Sequence, residues 1–343
     1  MVIFITGLCS TKCFYCPLSF QKGGTDRIFA DEWELDNERD TEKLVREAEY
    51  IDATGAGITG GDPLVVWERV KTYITLLKKT FGESFHIHLY TSALKNANHL
   101  SDLLAAGLDE IRFHPLPQTW ANMDASPIKK TIQHMCDSSV DVAIEIPVLP
   151  KKEKEIFSLV SWADKQGLRW INLNELEFSE RNCQAFLSHG FRVKNAISAA
   201  VKGSQVTADK ILKMSQKENL HIGVHYCSVS FKDGVQLKNR ILRRAKHIAT
   251  PYDVITKEGT LIKGVIYPSN RSLASLLSLL QKTQKIPSHL YHLDYEKERM
   301  EIAAWMLEKI GPQLSKHGYR CFIVEEYPTA DRLEVERTPV PVL

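Results

Sequence analysis

The residues with the clearest chemical potential are three cysteines near the amino terminus, Cys9, Cys13 and Cys16. Their C-x3-C-x2-C spacing puts three thiols on one short loop, where they can converge on a soft metal centre. Thiolates are the usual ligands of iron–sulfur clusters and of structural zinc. A structural zinc site needs a fourth ligand, and no second Cys/His pair of that spacing follows nearby in the sequence. Three thiols on a [4Fe–4S] cluster would leave one iron open, and both interpretations stand at this point.

A second motif, Gly60-Gly61-Asp62-Pro63, begins 44 residues after the last of these cysteines. Two adjacent glycines let the backbone approach a ligand closely, and Asp62 places a carboxylate beside them. The motif alone is weak evidence, because Gly-Asp-Pro is also ordinary turn chemistry. Its position supports a functional role, because the motif follows a strand-like run, as the cysteine triplet does.

The elements that must position both motifs alternate between strands and helices. Short apolar runs predict strands over Val2–Thr6, Ala56–Thr59, His86–Tyr90, Glu110–His114, Asp141–Pro147 and Arg169–Leu173. Amphipathic stretches predict helices over Thr41–Ala53, Leu64–Phe81, Lys95–Ala106, Ile128–Asp137 and Lys152–Gln166. Six βα units favour an α/β fold with a parallel sheet. In (β/α) barrels the loops after the strands carry the active site, and both motifs lie on such loops.

Together the two motifs resemble those of the radical S-adenosylmethionine (SAM) superfamily. The cysteines match its CxxxCxφC loop, with Tyr15 at the aromatic position φ, and the glycine motif is similar to its GGEP motif, with Asp62 in place of glutamate. The resemblance covers the first 180 to 200 residues and is closest to archaeal proteins related to pyruvate formate-lyase activating enzyme. It implies a partial (β/α)6 TIM-type barrel over residues 1–200 and a C-terminal α+β substrate or cap region over residues 201–343.

The resemblance also implies the cofactors and the chemistry. Cys9, Cys13 and Cys16 would hold a [4Fe–4S] cluster whose open iron chelates SAM. An electron from a low-potential donor of the flavodoxin or ferredoxin type would cleave SAM reductively. The product, a 5′-deoxyadenosyl radical, would abstract hydrogen from an unidentified substrate, for which a protein is one candidate. Tyr15 would lie beside the adenine, and Gly60, Gly61 and Asp62 would meet the methionyl amino group.

Polar side chains at the ends of later strands are further candidates for cofactor contact. Ser92 follows one strand, and Arg112 and His114 share a face of the next, where the resembled activating enzymes place polar SAM contacts. Glu145 lies in an otherwise apolar strand, where an unpaired carboxylate would be costly, so it meets either a partner or a ligand.

The remaining cysteines and two histidines have either a candidate chemical role or an expected structural one. Cys227 ends a short strand-like run after a basic stretch, and it is a candidate catalytic or substrate-facing thiol. His86 and His88 alternate on one strand face, where we expect a structural role. The isolated cysteines are expected to be buried apolar residues; they are Cys136, Cys183 and Cys321.

The net charge of +2 conceals a segregation of charge along the chain. Residues 1–190 carry 20 basic and 27 acidic side chains, residues 191–264 carry 14 and 5, and residues 265–343 carry 10 of each. The basic segment 191–264 motivates a second hypothesis, a radical SAM enzyme that modifies RNA and binds it through Arg240, Arg243 and Arg244. A third is a non-catalytic interaction protein stabilised by zinc or an iron–sulfur cluster.

Composition excludes several classes of protein. With 43% hydrophobic and 25% charged residues, the 343-residue chain is neither disordered nor repetitive. Its apolar runs fall short of the roughly 20 residues that a membrane-spanning helix needs. Seven cysteines without an export signal do not indicate a disulfide framework. We therefore expect a cytoplasmic protein without a membrane partner.

Overall fold

The chain divides into two units in the computed structural model, which describes residues 1–269, 271–283 and 286–340. The first unit combines Met1–Glu49 with Ala53–Val235, and the second combines Tyr50–Asp52 with Gln236–Leu343. The first unit thus continues past residue 200, where the sequence predicted a boundary. Among the described residues, no helix is long and apolar enough to cross a membrane.

The first unit is built on a nine-stranded sheet. Across it the strands follow the order β11-β8-β7-β6-β5-β4-β1-β2-β3, and all are parallel to their neighbours except the hairpin strands β2 and β3. A separate hairpin is formed by β9 and β10. The bounds in chain order are β1 Val2–Thr6, β2 Ile28–Ala30, β3 Trp33–Leu35, β4 Gly55–Gly60, β5 His86–Thr91, β6 Glu110–Phe113, β7 Asp141–Val148, β8 Trp170–Glu175, β9 Val193–Asn195, β10 Ser198–Val201 and β11 Gly223–Cys227.

Helices connect the parallel strands, as a βα pattern requires. In α2 the side chains of Val70, Tyr73, Ile74 and Leu77 are buried at helical spacing, which makes one face of the helix apolar. The helices of this part of the chain are α1 Thr41–Tyr50, α2 Trp67–Phe81, α3 Leu100–Ala105, α4 Lys129–Cys136, α5 Glu153–Lys165, α6 Cys183–Ser188, α7 Ser204–Lys217 and α8 Val229–Phe231.

The predicted partial barrel is confirmed, with one parallel strand more than the six expected. The additional strand, β11, pairs in parallel with β8 over its whole length. Its side chains alternate between exposed and partly buried, so it lacks the continuous apolar run that marked the other strands. With α7 before it, β11 adds a further βα repeat, and this is why the first unit extends beyond residue 200.

The second unit is a six-stranded antiparallel sheet with helices. Gly264 allows β13 to approach α11 closely, because a Cβ at this position would lie 2.8 Å from the Cβ of Leu307. The elements are α9 Lys238–Ile248, β12 Val254–Ile255, β13 Leu261–Tyr267, α10 Leu273–Thr283, β14 Tyr291–Asp294, β15 Arg299–Ile302, α11 Ala304–Lys316, β16 Arg320–Glu326 and β17 Glu334–Pro339, with a π-helical turn Lys232–Leu237 before α9.

Charged residues are buried inside the second unit. Lys263 Nζ lies 3.0 Å from Glu301 and 3.2 Å from Glu326, and Arg299 pairs with the same two carboxylates. Arg244 is also buried and donates to the Pro328 carbonyl. Arg240, Arg243 and Arg244 therefore do not form one exposed basic face for RNA.

Candidate active site

The cysteine loop, residues 7–25, leaves the end of β1 and returns beside it. The Gly7 amide donates to the Thr25 carbonyl, and the Gly24 amide donates to the Gly7 carbonyl, each at 2.8 Å. Glycine is required at position 7, because a Cβ there would lie 1.8 Å from the Lys22 carbonyl oxygen. The loop is therefore closed at its base, and this closure restricts where its thiols can lie.

Two of the three thiols share a threonine hydroxyl. Thr11 Oγ1 lies 3.0 Å from Cys9 Sγ and 3.6 Å from Cys13 Sγ. Burial alone would raise the pKa of Cys13, but hydrogen bonds with His114, Thr11 and Tyr15 outweigh it and lower that pKa. The thiolate is the form that ligates metals, so these surroundings prepare Cys13 to be a ligand.

The far side of the cysteine loop is anchored by the segment that follows β8. The Phe14 ring stacks on His189 with centroids 4.4 Å apart, and Asn182 donates to the Tyr15 carbonyl at 3.4 Å. The Cys16 amide closes a turn onto the Cys13 carbonyl at 3.1 Å, and burial raises the pKa of the Cys16 thiol. The loop is thus fixed at its tip as well as at its base.

Tyr15 connects the cysteine loop to the barrel strands. Its buried hydroxyl lies 2.9 Å from His114 Nε2, and His114 Nδ1 lies 2.8 Å from the Glu145 carbonyl oxygen. A carbonyl can only accept, so His114 donates from Nδ1 to Glu145, and its Nε2 is left to bond with the Tyr15 hydroxyl. The structure therefore brings together three predicted site residues that lie far apart in the sequence.

The glycine motif lies directly against the beginning of the cysteine loop. The Gly61 amide donates to the Thr6 carbonyl at 2.7 Å, and the Asp62 amide donates to the Leu8 carbonyl at 2.8 Å. A Cβ at Gly60 would lie 2.2 Å from the Thr6 carbonyl oxygen, and one at Gly61 would lie 2.1 Å from that of Leu8. Both glycines are therefore needed for backbone packing, whatever ligand the motif also meets.

The Asp62 carboxylate accepts hydrogen bonds from neighbouring residues of the protein. Oδ1 accepts from the Thr91 hydroxyl at 2.7 Å and from the Leu64 amide at 3.2 Å. Oδ2 accepts from the Ser92 hydroxyl at 2.5 Å and from the Ser92 amide at 3.2 Å. Four donors occupy this buried carboxylate, so it fixes the end of β4 to the end of β5. Asp62 and Ser92, both predicted to contact the cofactor, are bonded to each other, and their contact with the cofactor stays a prediction.

Arg112 and Glu145 form an ion pair on the sheet. Arg112 Nη1 lies 3.1 Å from Glu145 Oε2, and Arg112 Nε lies 2.6 Å from Glu110 Oε1. Asn174 donates to Glu145 Oε1 at 2.7 Å, and Tyr90 accepts from Arg112 at 3.0 Å. Glu145 therefore has the partner that its otherwise apolar strand demands, and it stays partly exposed.

Cys227 lies at the carboxyl end of β11, paired with Asn174 of β8. Burial raises the pKa of its thiol, and Glu145 and Glu177 act in the same direction against Lys232. The protonated thiol is thus the form that its surroundings favour. Its position beside the partner of Glu145 places it at the same end of the sheet as the cysteine loop.

The residues of this site that were not predicted include Thr11, Tyr90 and Glu110. Tyr90 continues the alternation of His86 and His88 along β5, and this pattern could have placed it on the same face. Glu110 and Arg112 are two positions apart on β6, so the same alternation could have paired them, whereas the contact of Glu110 with Trp170 joins residues distant in sequence.

Two family models match parts of the chain. The radical SAM superfamily matches residues 3–116, and a domain of unknown function, DUF8061, matches residues 259–340. The chain is also 35% identical over 351 residues to a candidate glycyl-radical enzyme activating enzyme of Methanocaldococcus jannaschii. That alignment covers 99% of this chain and 89% of the relative.

Among solved structures, the chain is similar to SuiB of Streptococcus suis. The SAM-bound structure is 12% identical with a TM-score of 0.46, covering 66% of this chain and 49% of SuiB. The structure with precursor peptide SuiA is 12% identical with a TM-score of 0.49, covering 71% and 55%. The chain thus spans about half the length of SuiB.

The donor set of the cysteine loop fits the superfamily's cofactors, a [4Fe–4S] cluster and SAM. Thiolates are the usual ligands of such clusters, and Thr11 Oγ1 contacts two of the three thiols in the loop, those of Cys9 and Cys13. Since the relative in Methanocaldococcus jannaschii shares 35% identity over nearly the whole length, the family is common to both. The chain belongs to the radical SAM superfamily and is an enzyme of that type.

Proposed function

We propose that this enzyme activates a protein substrate by abstracting a hydrogen atom from it, with a glycine Cα–H as the target bond. When bound, the cluster and SAM supply one-electron reductive cleavage of SAM, giving methionine and a 5′-deoxyadenosyl radical. The substrate hydrogen would be carried away in 5′-deoxyadenosine, and the unpaired electron would stay on the substrate. The electron comes from a flavodoxin- or ferredoxin-type donor.

The observation that carries this proposal is the three-thiol loop fixed against the glycine motif. Cys9, Cys13 and Cys16 would hold the cluster, and the backbone of Gly60 and Gly61 lies where the loop begins. The kind of substrate is supported by the relative in Methanocaldococcus jannaschii, whose name describes an activating enzyme for a glycyl-radical enzyme.

The chain's own residues position the cofactor. Tyr15 is held by His114 and orients the loop toward the ends of the strands. Arg112 and Glu145 offer a cation and a carboxylate of partial exposure, which suit the carboxylate and amino groups of SAM. We assign to Cys227, at the carboxyl end of β11, the role of facing the substrate with its thiol protonated. Asp62 and Ser92 act by holding the glycine motif in place.

The test of SAM chemistry is anaerobic reconstitution with iron and sulfide, followed by reduction with SAM. We expect four irons per chain and release of 5′-deoxyadenosine. Cys13→Ala should lower that release to the uncatalysed background, whereas Cys136→Ala, a thiol on α4 outside the loop, should retain it. Equal activity of the two variants would refute the assignment of the cluster ligands.

The test of the substrate uses deuterium transfer. Protein labelled with α-deuterated glycine, taken from cells that express this enzyme naturally, should pass deuterium into 5′-deoxyadenosine. Total RNA labelled with deuterated ribose and methyl groups serves as the second arm. Transfer from RNA and not from protein would overturn the proposed substrate while leaving the SAM chemistry intact.

A further inference from the structure

His86, His88 and Glu110 lie together at the end of the sheet opposite the cysteine loop. Each offers one ligand atom, and these three atoms are all within 4.8 Å of one another. We propose that they form a second metal site, which binds a divalent transition ion such as Zn²⁺. This site is separate from the cysteine loop and does not depend on the substrate proposed above.

The register of the sheet creates this cluster. His86 and His88 are two residues apart on β5, so their side chains lie on the same face, and β6 pairs Glu110 directly with His88. His86 Nε2 lies 3.7 Å from Glu110 Oε2. Two ligands of a tetrahedral zinc ion at about 2.1 Å from the metal would lie about 3.4 Å apart, so only a small adjustment is needed.

The surroundings orient the carboxylate and leave one of its oxygens for a metal. Glu110 Oε1 accepts from Arg112 Nε at 2.6 Å and from Trp170 Nε1 at 3.0 Å. Glu110 Oε2 has only a longer contact of 3.4 Å with Arg112 and faces His86. Hydrogen bonds of this kind typically fix a metal-binding carboxylate from behind.

The histidine at position 88 is oriented as well. Its Nε2 lies 3.1 Å from the Tyr90 hydroxyl. The ring lies over Gly57 of the neighbouring strand, where a Cβ would be 2.5 Å from that nitrogen. Glycine at position 57 thus makes room for the imidazole on the inner side of the cluster.

Exposure and ligand type indicate which ion can bind. The Glu110 side chain is 1% exposed, whereas that of His86 is 47% exposed, which gives an ion an entry path from solvent. Two imidazoles and one carboxylate suit zinc, cobalt, nickel and iron better than magnesium or calcium. Three protein ligands leave a position for water or another small ligand.

The metal site and the cysteine loop lie at opposite ends of the sheet, and Arg112, which bonds to Glu110, lies between them. Glu110 begins β6 and His114 directly follows it, so the two ends of this strand are about 13 Å apart. An ion held by β5 and β6 would clamp the amino ends of two strands whose carboxyl ends carry Ser92 and His114. The role assigned to the ion is therefore to stabilise the barrel.

The experiment uses the full chain with its iron–sulfur cluster in place, so that the loop thiols are occupied. The protein is equilibrated anaerobically with Zn²⁺, passed over a desalting column, and analysed for zinc and iron. We expect one zinc per chain in the wild type and at least a tenfold weaker affinity in His86→Ala. His134→Ala, which removes an exposed histidine on α4, is the matched control and should bind zinc as the wild type does.

Two further measurements distinguish loss of the metal site from a folding defect and from binding of the metal by thiols. Zn²⁺ should raise the thermal midpoint of the wild type and of His134→Ala but not that of His86→Ala. Co²⁺ bound at this site should give visible bands without thiolate-to-cobalt charge transfer. Equal zinc in His86→Ala and wild type, less than a tenth of an equivalent in the wild type, or thiolate bands with Co²⁺ would each overturn the site.

Discussion

Arg112 in the first unit and Arg299 in the second both pair with glutamates on the strands of a sheet, but the two arginines differ in their access to solvent. The side chain of Arg112 is 20% exposed and that of its partner Glu145 is 16% exposed. The side chain of Arg299 is 2% exposed and that of Glu326 is fully buried. The same ion-pair chemistry is thus open to a ligand in one unit and closed in the other.

This difference indicates what each cluster can do. A closed cluster of charges can only hold its own sheet together, and its charges have no solvent to compensate them if one partner is lost. An open cluster retains water that a ligand can displace, so its charges can be used for binding. We therefore read Arg112 and Glu145 as part of the site, and Arg299 and Glu326 as structural.

The largest effect is expected from Arg299→Met. It leaves Glu301 and Glu326 buried with less compensation, which costs about 3–5 kcal/mol when a buried pair is broken. Urea unfolding followed by hydrogen exchange on second-unit peptides measures this loss. Arg320→Met, at an exposed position of β16, is the control and should change stability by no more than about 0.5 kcal/mol. If both variants were equally stable, the buried ion pairs of Arg299 would not have the structural role assigned to them.

Acid should destabilise the second unit through Glu301. Burial alone would raise the pKa of Glu301, but Lys263 and Arg299 lower it to about 2 from its ordinary 4.5. Because the folded-state pKa is depressed, this stabilisation is complete above pH 4.5 and is lost as the pH falls toward 2. A shift of this size corresponds to about 3 kcal/mol.

The measurement compares the unfolding free energy of wild type and Glu301→Gln at several pH values. The amide cannot titrate, so the stability advantage of the wild type should shrink as the pH falls from 5 to 2. A difference that stays constant over this range would mean that Lys263 and Arg299 do not depress the pKa of Glu301.

Local sequence patterns predicted the residues that chemistry needs but not how they are held. The thiol spacing, the glycine motif and the run of parallel strands are all readable, because each is a short pattern or a periodicity. The bonds of Asp62 to Thr91 and Ser92 are not, because they join residues about thirty positions apart. These bonds add a positioning role for Asp62 that the sequence did not predict, and its contact with the cofactor stays a prediction.

The same limit explains the other differences between prediction and structure. The sequence showed a short strand-like run ending at Cys227, but the exposed positions Gly223 and His225 gave no apolar pattern that would assign this strand to the barrel, so the first unit appeared shorter. The cluster of His86, His88 and Glu110 depends on the register between β5 and β6, which the sequence of either strand alone does not specify. Pairing across strands, rather than pattern along one strand, creates the second metal site.

The smallest change in stability is expected from Glu145→Gln. This variant tests directly whether the two ion-pair clusters differ in function. Glu145→Gln removes one partner of Arg112 but leaves Glu110 bonded to Arg112 Nε at 2.6 Å, and Gln can still accept from Asn174. The stability cost should therefore stay below about 1 kcal/mol, because the exposed charge keeps another partner. If Glu145 meets the cofactor, SAM affinity should fall about tenfold, which equals about 1.4 kcal/mol.

Equilibrium dialysis of SAM against the cluster-loaded enzyme measures this change. Glu153→Gln, which breaks the exposed pair with Lys210 on the outer helices, is the control and should bind SAM as the wild type does. Unchanged SAM affinity with a stability loss comparable to that of Arg299→Met would make Glu145 a structural residue like Glu326. The Arg112–Glu145 pair and the Arg299–Glu326 pair would then differ in exposure to solvent but would both be structural. Exposure of an ion pair would not be enough to make it a binding site.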